Sequence, residues 1–281
     1  MKTAVRFLGI VIVGLSLLTA SCKKQDKEED SETTSAAENF MASNFSNDMA
    51  NISDEAAKTK NVSSFKIQEN NSILSSCATL QFDTLNQTDA DSIKVNFGAT
   101  NCIGNDGRAR RGSLLIIYNG KYKDSLTTIT ITPINYFVNN NGISGSKTIK
   151  NLGRNSHGNL VYQFNASIVI TKANNGGTIN WACNRQREWT NGQTTLTWID
   201  DKYSITGTAS GSNSNGRSFT SNITKPLIRD MALACRKHFT SGTIEHTPSG
   251  KPPRTIDFGN GACDGKATVT VNGKTYIIDL N

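Results

Sequence analysis

Three histidines, His157, His238 and His246, are the first residues to consider for catalysis or metal binding. No Cys, Asp or Glu stands at a spacing that would complete a zinc site with them. The chain has neither a Gly-x-Ser-x-Gly nucleophile elbow nor a glycine-rich phosphate loop. We therefore expect no metal, no cofactor and no enzyme activity. A hydrolase with dispersed carboxylates, which would need two carboxylates converging across a cleft, is the least favoured alternative.

Three tryptophans, Trp181, Trp189 and Trp198, lie close together in the sequence. Aromatic rings flanked by hydrogen-bonding groups hold sugars by stacking, so one hypothesis is a glycan contact through Trp189 and Arg187. The alternative is that the rings anchor the core, because the chain has no other tryptophan. We expect mostly buried rings, with Trp189 as the exception because Arg187 and Glu188 beside it suggest a solvated strand end.

The six cysteines are the remaining reactive groups, and Cys22 stands apart from the others. Lys2 and Arg6 precede a short apolar run, and the small residues Thr19-Ala20-Ser21 come directly before Cys22. This pattern is typical of a secretory signal peptide, here residues 1–21. The apolar run is shorter than the roughly 20 residues that a membrane-spanning helix needs, so we expect export into an oxidising compartment.

Small residues that end at a cysteine resemble the lipobox of bacterial lipoproteins. The resemblance implies that Cys22 is lipidated and that residues 22–35 form a flexible tether. Thr19 stands where the lipobox usually has Leu, so cleavage nearby by an ordinary signal peptidase is the alternative. Lys27-Glu28-Glu29 in the tether resembles the charged export signal of surface-exposed Bacteroidetes lipoproteins, although a solvated tether of mixed charge explains it as well.

The five other cysteines allow two disulfides and one free thiol, and an internal similarity selects the pairs. The segments 77–121 and 235–274 each begin at a cysteine and contain a Phe-Gly pair that precedes a second cysteine at the same spacing, namely Phe97-Gly98 before Cys102 and Phe258-Gly259 before Cys263. Matching positions suggest matching bonds. We predict disulfides Cys77–Cys102 and Cys235–Cys263, with Cys183 left as a small apolar residue.

The composition excludes a polytopic membrane protein, a coiled coil and a helical bundle. Hydrophobic residues are 36% of the chain and charged residues 19%, and β-branched Thr is abundant. Residues 36–60 carry Phe40, Phe45 and Met49 at helical spacing, which predicts an amphipathic helix.

The remainder, residues 61–281, alternates apolar and polar residues with a period of two, most clearly over residues 160–171, and Asn-Gly turn signals recur between the runs. We predict an all-β domain, a long antiparallel meander of roughly 12 to 14 strands that forms a sandwich or a curled half-barrel.

The predicted domain is cationic. Residues 61–281 contain 23 Lys or Arg and 14 Asp or Glu, a net charge of 23 − 14 = +9, and the one dense basic cluster is Arg108-Ala109-Arg110-Arg111. We expect this cluster to affect surface charge rather than the fold. An exported chain seldom meets nucleic acid, so anionic glycans or another envelope protein are the expected partners. A bland cationic surface is the alternative.

The stretch from Phe97 to Arg110 and the stretch from Ile256 to Asp264, together with the lipobox, resemble a group of uncharacterised Bacteroidetes lipoproteins of the cell surface or periplasm. The resemblance implies a lipid anchor in the outer membrane, on the cell surface or the periplasmic face, but it implies no activity. Three Asp-Ser/Thr-apolar triplets also resemble the O-glycosylation motif of that phylum, and they mark Thr84, Ser92 and Ser125.

These features favour a non-catalytic envelope lipoprotein with a binding or structural accessory role at the outer membrane. The alternative is a carrier or chaperone for a hydrophobic or amphipathic ligand, because a curled meander with one apolar face can enclose a lipid tail.

The lipid anchor is tested by Cys22→Ala. The substitution removes the thiol that would carry the acyl chains, so lipid labelling and membrane fractionation should both be lost. Cys183→Ala is the matched control and should retain both. Membrane fractionation that persists in Cys22→Ala would contradict the anchor.

Overall fold

A computed structural model of the protein describes residues 30, 32–59, 73–74, 77–83, 91–195, 197 and 199–280. Over these ranges the chain forms one α-helix and fourteen strands. They are α1 (Thr34–Thr59), β1 (Thr79–Asp83), β2 (Asp91–Asn96), β3 (Cys102–Ile103), β4 (Ala109–Tyr118), β5 (Thr128–Val138), β6 (Asn141–Arg154), β7 (Leu160–Thr171), β8 (Thr178–Asn191), β9 (Lys202–Ser212), β10 (Ser218–Asp230), β11 (Ser241–Pro248), β12 (Arg254–Asn260), β13 (Lys266–Val271) and β14 (Lys274–Asp279). None of the helical structure in these ranges is long and apolar enough to cross a membrane.

The strands form one antiparallel sheet in which neighbours in sequence are neighbours in space, from β1 to β14. The two-residue strand β3 departs from this order, because it pairs with β4 beside β2. β1 and β14 are not paired with each other, so the sheet is open. The predicted antiparallel meander is therefore confirmed, in the form of a single sheet rather than a sandwich of two.

The strands follow from the period-two pattern, and the turns follow from asparagine and glycine. Along β7, burial alternates strictly with position, and the apolar set from Leu160 to Ile170 faces the core. The turn between β5 and β6 is made by Asn139 and Asn140, both with positive φ (48° and 64°). Asparagine tolerates this left-handed conformation better than other non-glycine residues, and the twist of such turns suits antiparallel hairpins.

The sheet curls around α1. The consecutive residues Glu38, Asn39 and Phe40 are all buried. They contact, respectively, the turn after β7, strand β8 and strand β12. Successive residues of an α-helix point about 100° apart, so contacts to three consecutive positions require a sheet that encloses much of the helix circumference. The fold is thus a half-barrel with a helix inside it.

The same helix joins two clusters of buried apolar residues. Ala36 and Phe40 belong to the smaller cluster, with side chains from β9 to β14. The part of α1 from Ala42 to Ala57 belongs to the larger cluster, which is built mainly from β2 to β8. Because α1 contributes to both, its removal would separate the two halves of the core.

Polar side chains of α1 also point into the core, and the sheet supplies partners for them. Burying a polar group without a hydrogen bond is unfavourable, so each such contact restricts where the helix can lie. The contacts are Ser35 with His246, Glu38 with Lys172 and Ser214, Asn39 with Trp181, Ser43 with Arg185, and Ser46 with Lys147.

The most highly charged of these contacts joins Asp48 on α1 to the start of β4. Arg110 donates from Nη2 to Asp48 Oδ1 at 2.7 Å and to Asp106 Oδ2 at 2.5 Å, and Arg108 donates to Asp48 Oδ1 at 2.8 Å. Arg110 has no exposed surface. The expectation that this basic cluster affects only surface charge is therefore wrong for Arg110, because its guanidinium turns inward to neutralise the helix carboxylate.

A bulge in β5 brings another side chain to the same place. The register of β4 and β5 shifts between Arg111 and Ser113, opposite Asn135, which has a φ of 46°. The extra residue reverses the side-chain parity, so that Tyr136 faces inward with its hydroxyl 3.5 Å from Asp48 Oδ2. Gly112 faces this bulge, and a Cβ there would lie 1.9 Å from the carbonyl oxygen of Asn135.

The chain just before α1 is also fixed to the sheet. Arg254 on β12 donates to Asp30 Oδ2 at 2.7 Å and to the carbonyl oxygen of Glu32 at 2.8 Å. The Glu32 side chain accepts a hydrogen bond from the backbone N–H of Ser35 in the first turn of the helix. The sequence assigned residues 22–35 to a flexible tether. Asp30 and Glu32 are instead docked on β12, Thr34 and Ser35 belong to α1, and residues 22–29 and 31 lie outside the described ranges.

Asp48→Asn is expected to destabilise the protein by about 3 kcal/mol at pH 7, the lower end of the cost of breaking a buried ion pair, because Asp106 still faces Arg110. Burial alone would raise the pKa of Asp48, but Arg110 and Arg108 outweigh it and hold that pKa below its ordinary value. A carboxyl whose folded pKa is depressed stabilises the protein above its unfolded pKa and loses that contribution as pH falls.

The difference in unfolding free energy between wild type and Asp48→Asn should therefore be largest above about pH 5 and shrink in acid. Urea unfolding at several pH values measures it. Glu245→Gln, which also replaces a carboxylate with an amide but at an exposed position of β11, is the control and should have little effect on the unfolding free energy. A pH-independent difference would contradict the assigned role of Asp48.

Candidate functional site

The open side of the half-barrel leaves one stripe of α1 uncovered. Most helix positions are buried, and the accessible ones recur every three or four residues along one side of α1. Six of these accessible residues form the floor of a groove of about 760 Å³, namely Thr34, Ala37, Met41, Asn44, Asn51 and Asp54. We call this cavity the α1 groove. Its size lies within the range of small-molecule binding sites, roughly 300 to 1,000 Å³.

One wall of the α1 groove is the turn between β3 and β4, where Asp106, Gly107 and Arg108 line the cavity. The disulfide Cys77–Cys102 fixes the chain directly before this turn. Because Arg108 also binds Asp48 on the helix, this wall and the floor are held together by an ion pair.

The opposite wall consists of the end of β10 and the connection from β10 to β11, where Arg229, Arg236, Lys237 and His238 line the cavity. The disulfide Cys235–Cys263 fixes this connection to the segment after β12. Both predicted disulfides are thus present, and each fixes one wall of the groove. Cys183 is free, as predicted, and half-buried on β8.

The two walls belong to the related segments that the sequence identified. Phe97 and Phe258 are both buried, and the glycine after each has positive φ (82° and 84°) and donates its N–H to the Asn96 or Asp257 side chain. The following hairpins also match, since Asn96 pairs with Ser113 and Asp257 pairs with Thr268. The similarity is therefore structural, and it places related hairpins near the two ends of the sheet.

The carboxylates of the groove for which a shift is clear are held ionised. Burial opposes ionisation of Glu38, but hydrogen bonds from Lys172 and Ser214 outweigh it and lower its pKa. The pKa of Asp48 is likewise lowered, because Arg110 and Arg108 outweigh the effect of burial. A general acid at neutral pH needs a raised pKa, so these two groups are poor candidates for that role.

No cluster of three or more His, Cys, Asp or Glu side chains suited to a metal ion occurs in the part of the chain that the structure describes. Of the histidines, His246 is fully buried between Ser35 Oγ (2.8 Å) and Ser221 Oγ (2.7 Å). Burial, assisted by Arg254, lowers the pKa of His246 to about 4, so the ring is neutral at pH 7 and joins α1 to the sheet.

Trp189 is not the exposed ring that its charged neighbours suggested. It is 4% exposed, its Nε1 donates to Asp201 Oδ1 at 3.1 Å, and its ring lies 5.7 Å from that of Tyr203. Trp189 shares strand parity with Trp181, which is also buried, and β8 remains regular between them. The predicted exposure is therefore wrong, and a ring enclosed in this way cannot stack on a sugar.

Arg187 shares that inward parity. Its guanidinium lies 4.4 Å from the ring centroid of Phe164 and 4.5 Å from that of Tyr203, and it donates to the Tyr122 hydroxyl. A guanidinium over aromatic faces is stabilised by cation–π attraction. The charge that suggested a solvated strand end is thus held inside by rings, and the glycan contact proposed for Arg187 and Trp189 has no support here.

The remaining predicted sites are scattered. Ser92 on β2 is half-buried and Ser125 is exposed in the loop between β4 and β5. Cys22, Thr84 and Trp198 lie outside the described ranges. Sequence reasoning missed the groove itself, because its floor is the polar stripe of a helix and only the half-barrel leaves that stripe open. The one available signal was the pair of related cysteine segments.

Comparisons with protein-family models, with curated proteins and with solved structures find no match to this chain.

Trp189→Ala should destabilise the protein by about 3 to 5 kcal/mol, the usual cost of deleting a core aromatic side chain. Trp189→Phe keeps most of the apolar contact but loses the hydrogen bond to Asp201, so a smaller loss is expected. Chemical denaturation measures both. An unchanged free energy of unfolding in Trp189→Ala would show that the ring is not part of the core.

Proposed function

We propose that this protein is a non-catalytic, lipid-anchored envelope lipoprotein that binds a ligand in the α1 groove. The observation that carries the proposal is the groove itself, a cavity of about 760 Å³ whose floor is the exposed stripe of a buried helix. Its two walls are each fixed by a disulfide. A cavity whose walls are fixed before binding loses little conformational entropy when a ligand enters.

The anchor and compartment are part of this proposal. The lipobox at Cys22 favours attachment to the outer membrane, on the cell surface or its periplasmic face. Two disulfides fit an oxidising compartment. The docking of Asp30 on Arg254 supports a short connection between the lipid and the folded domain. Eight residue steps separate Cys22 from Asp30, so the connection spans at most about 26 to 29 Å when fully extended.

A binding role is favoured over catalysis by the state of two groove carboxylates. Glu38 and Asp48 are engaged by basic residues and have lowered pKa values. The groove lining includes six carboxylates, the cations Arg108, Arg229 and Lys237, and apolar surface from Met41. The cations of the wall after β10 suit a ligand that is polar and carries negative charge, such as an anionic glycan, or a segment of another envelope protein.

The alternative, a carrier for a hydrophobic or amphipathic ligand, has one observation in its favour. Phe40, Met41 and Phe45 line the groove on the helix side. However, the apolar concave face of the sheet packs against α1, so a long lipid tail would have to displace the helix. The polar groove ligand is therefore the better-supported proposal.

Native mass spectrometry of the protein purified from its own membrane tests the groove. Wild type should retain a copurifying molecule, and Asn44→Trp, which places a large ring on the groove floor, should lose it. Ile134→Trp is the control, because Ile134 is 41% exposed and is not among the groove residues. Retention in Asn44→Trp, or no bound molecule in wild type, would overturn the proposal. A copurifying lipid displaced by Asn44→Trp would favour the carrier.

A further inference from the structure

We propose that the ligand of the α1 groove carries a phosphate group, and that Arg229 at the end of β10 is its principal donor. The inference rests on the proposed binding function and specifies the chemistry of the ligand. It is carried by one buried guanidinium that lines the groove and forms no ion pair with a carboxylate of the described residues.

Arg229 is 8% exposed and lines the α1 groove. Its Nη2 donates to the carbonyl oxygen of Arg236 at 2.8 Å, and its buried Nε has no hydrogen-bond partner in the described chain. None of the ion pairs between described residues includes Arg229. A buried cation in this state is costly, and an anion entering the groove would relieve that cost.

Other buried cations of the protein differ from Arg229 in having an ion-pair partner, an aromatic enclosure or a position away from the groove, although the Nε atoms of Arg185 and Arg187 also lack a hydrogen-bond partner among the described residues. Arg110 forms ion pairs with Asp48 and Asp106, and Arg254 forms one with Asp30. Arg187 lies over aromatic rings. Arg185 and Lys147 bond to serines of α1 and do not line the groove. Arg229 therefore combines burial, the lack of an ion pair with any described carboxylate and a position on the cavity, and this combination favours a binding role.

The surroundings of Arg229 favour an anion. Burial, together with the nearby Arg108 and Arg187, lowers the pKa of Arg229 to about 10, although Tyr203 and Asp48 act in the opposite direction. Lys237 is exposed on the same wall. Six carboxylates also line the cavity, so the anion must lie toward the β10 wall rather than along the whole groove; they are Glu38, Asp48, Asp54, Glu55, Asp106 and Asp279.

Phosphate suits this wall better than a single carboxylate. A guanidinium binds phosphate oxygens through two parallel hydrogen bonds, and a dianion can pair with more than one cation at once. The cavity is far larger than a phosphate ion, so the rest of the ligand would lie over Met41 and Asn44 on the floor. The phosphate could belong to a lipid headgroup or to a small phosphorylated molecule.

Isothermal titration calorimetry of the mature chain with Cys22→Ala, which keeps every residue of the folded part, tests the inference. The probes are inorganic phosphate and the short-chain lipid dihexanoyl phosphatidic acid, at fixed ionic strength. Arg229→Gln should weaken phosphate binding at least about tenfold, which corresponds to about 1.4 kcal/mol. Arg229→Lys keeps the charge but loses the two parallel donors of the guanidinium, so its phosphate affinity should lie between those of wild type and Arg229→Gln.

Two further variants keep the test decisive if Arg229→Gln does not fold. Lys237→Gln changes an exposed wall residue and should weaken phosphate binding about two- to fivefold. Arg217→Gln removes an exposed arginine of the β9–β10 turn that does not line the groove, and should leave phosphate binding unchanged. Phosphate binding that is unaffected by Lys237→Gln and Arg229→Gln, or weakened equally by Arg217→Gln, would overturn the inference.

The two probes distinguish the source of the phosphate. Tighter binding of the lipid than of inorganic phosphate, lost in Asn44→Trp, supports a lipid headgroup whose remainder occupies the floor, and with it the carrier for an amphipathic ligand. Equal affinities support a small phosphorylated molecule. A copurified ligand without phosphate, together with no phosphate binding, overturns this inference and leaves the proposed function standing. Failure of the proposed function is recognised separately, by a copurified molecule that persists in Asn44→Trp or by the lack of any copurified molecule in wild type.

Discussion

The fold depends on the burial of a polar helix inside a curled sheet. A helix with so many Ser, Asn, Asp and Glu side chains in its interior-facing positions is stable there only if the surrounding strands supply a partner for each, since an unpaired buried polar group is costly. The sheet supplies Ser46, Ser43 and Asp48 with partners through inward-pointing Lys147, Arg185 and Arg110, residues that strands usually direct to solvent. Helix and sheet therefore depend on each other, because each leaves buried charge or polar groups uncompensated without its partner.

This mutual dependence explains why the sheet stays open. The strands enclose α1 on the sides where its residues have partners, and the stripe from Thr34 to Asp54 has none of the large apolar residues that would demand further cover, apart from Met41. The stripe stays partly accessible, and the cavity forms along it, with Arg108 and Arg229 among the sheet residues that line it. The groove is thus a direct consequence of how the helix is held.

The two disulfides act where the sheet has least support. The ends of an open sheet have neighbours on one side only, and both groove walls are turns or connections rather than long strands. Each disulfide closes a loop of roughly 25 to 28 residues and restricts the chain before it folds, which is worth about 3 to 4 kcal/mol in the chain-entropy model. The related segments with Phe97 and Phe258 thus place the same combination, a buried Phe, a glycine with positive φ and a disulfide, near each end of the sheet.

The sequence by itself determined the all-β meander, the N-terminal helix, both disulfides and the free Cys183, because period-two alternation, Asn and Gly turns and an internal similarity are local or pairwise signals. The tertiary structure alone decided the rest. Trp189 and Arg187 face inward because β8 stays regular across charged residues, and Arg110 is buried because Asp48, 62 positions earlier, requires a counter-charge. Which face of a strand is the inside, and which stripe of a helix is left open, depends on contacts between residues far apart in the chain, and no local pattern records them.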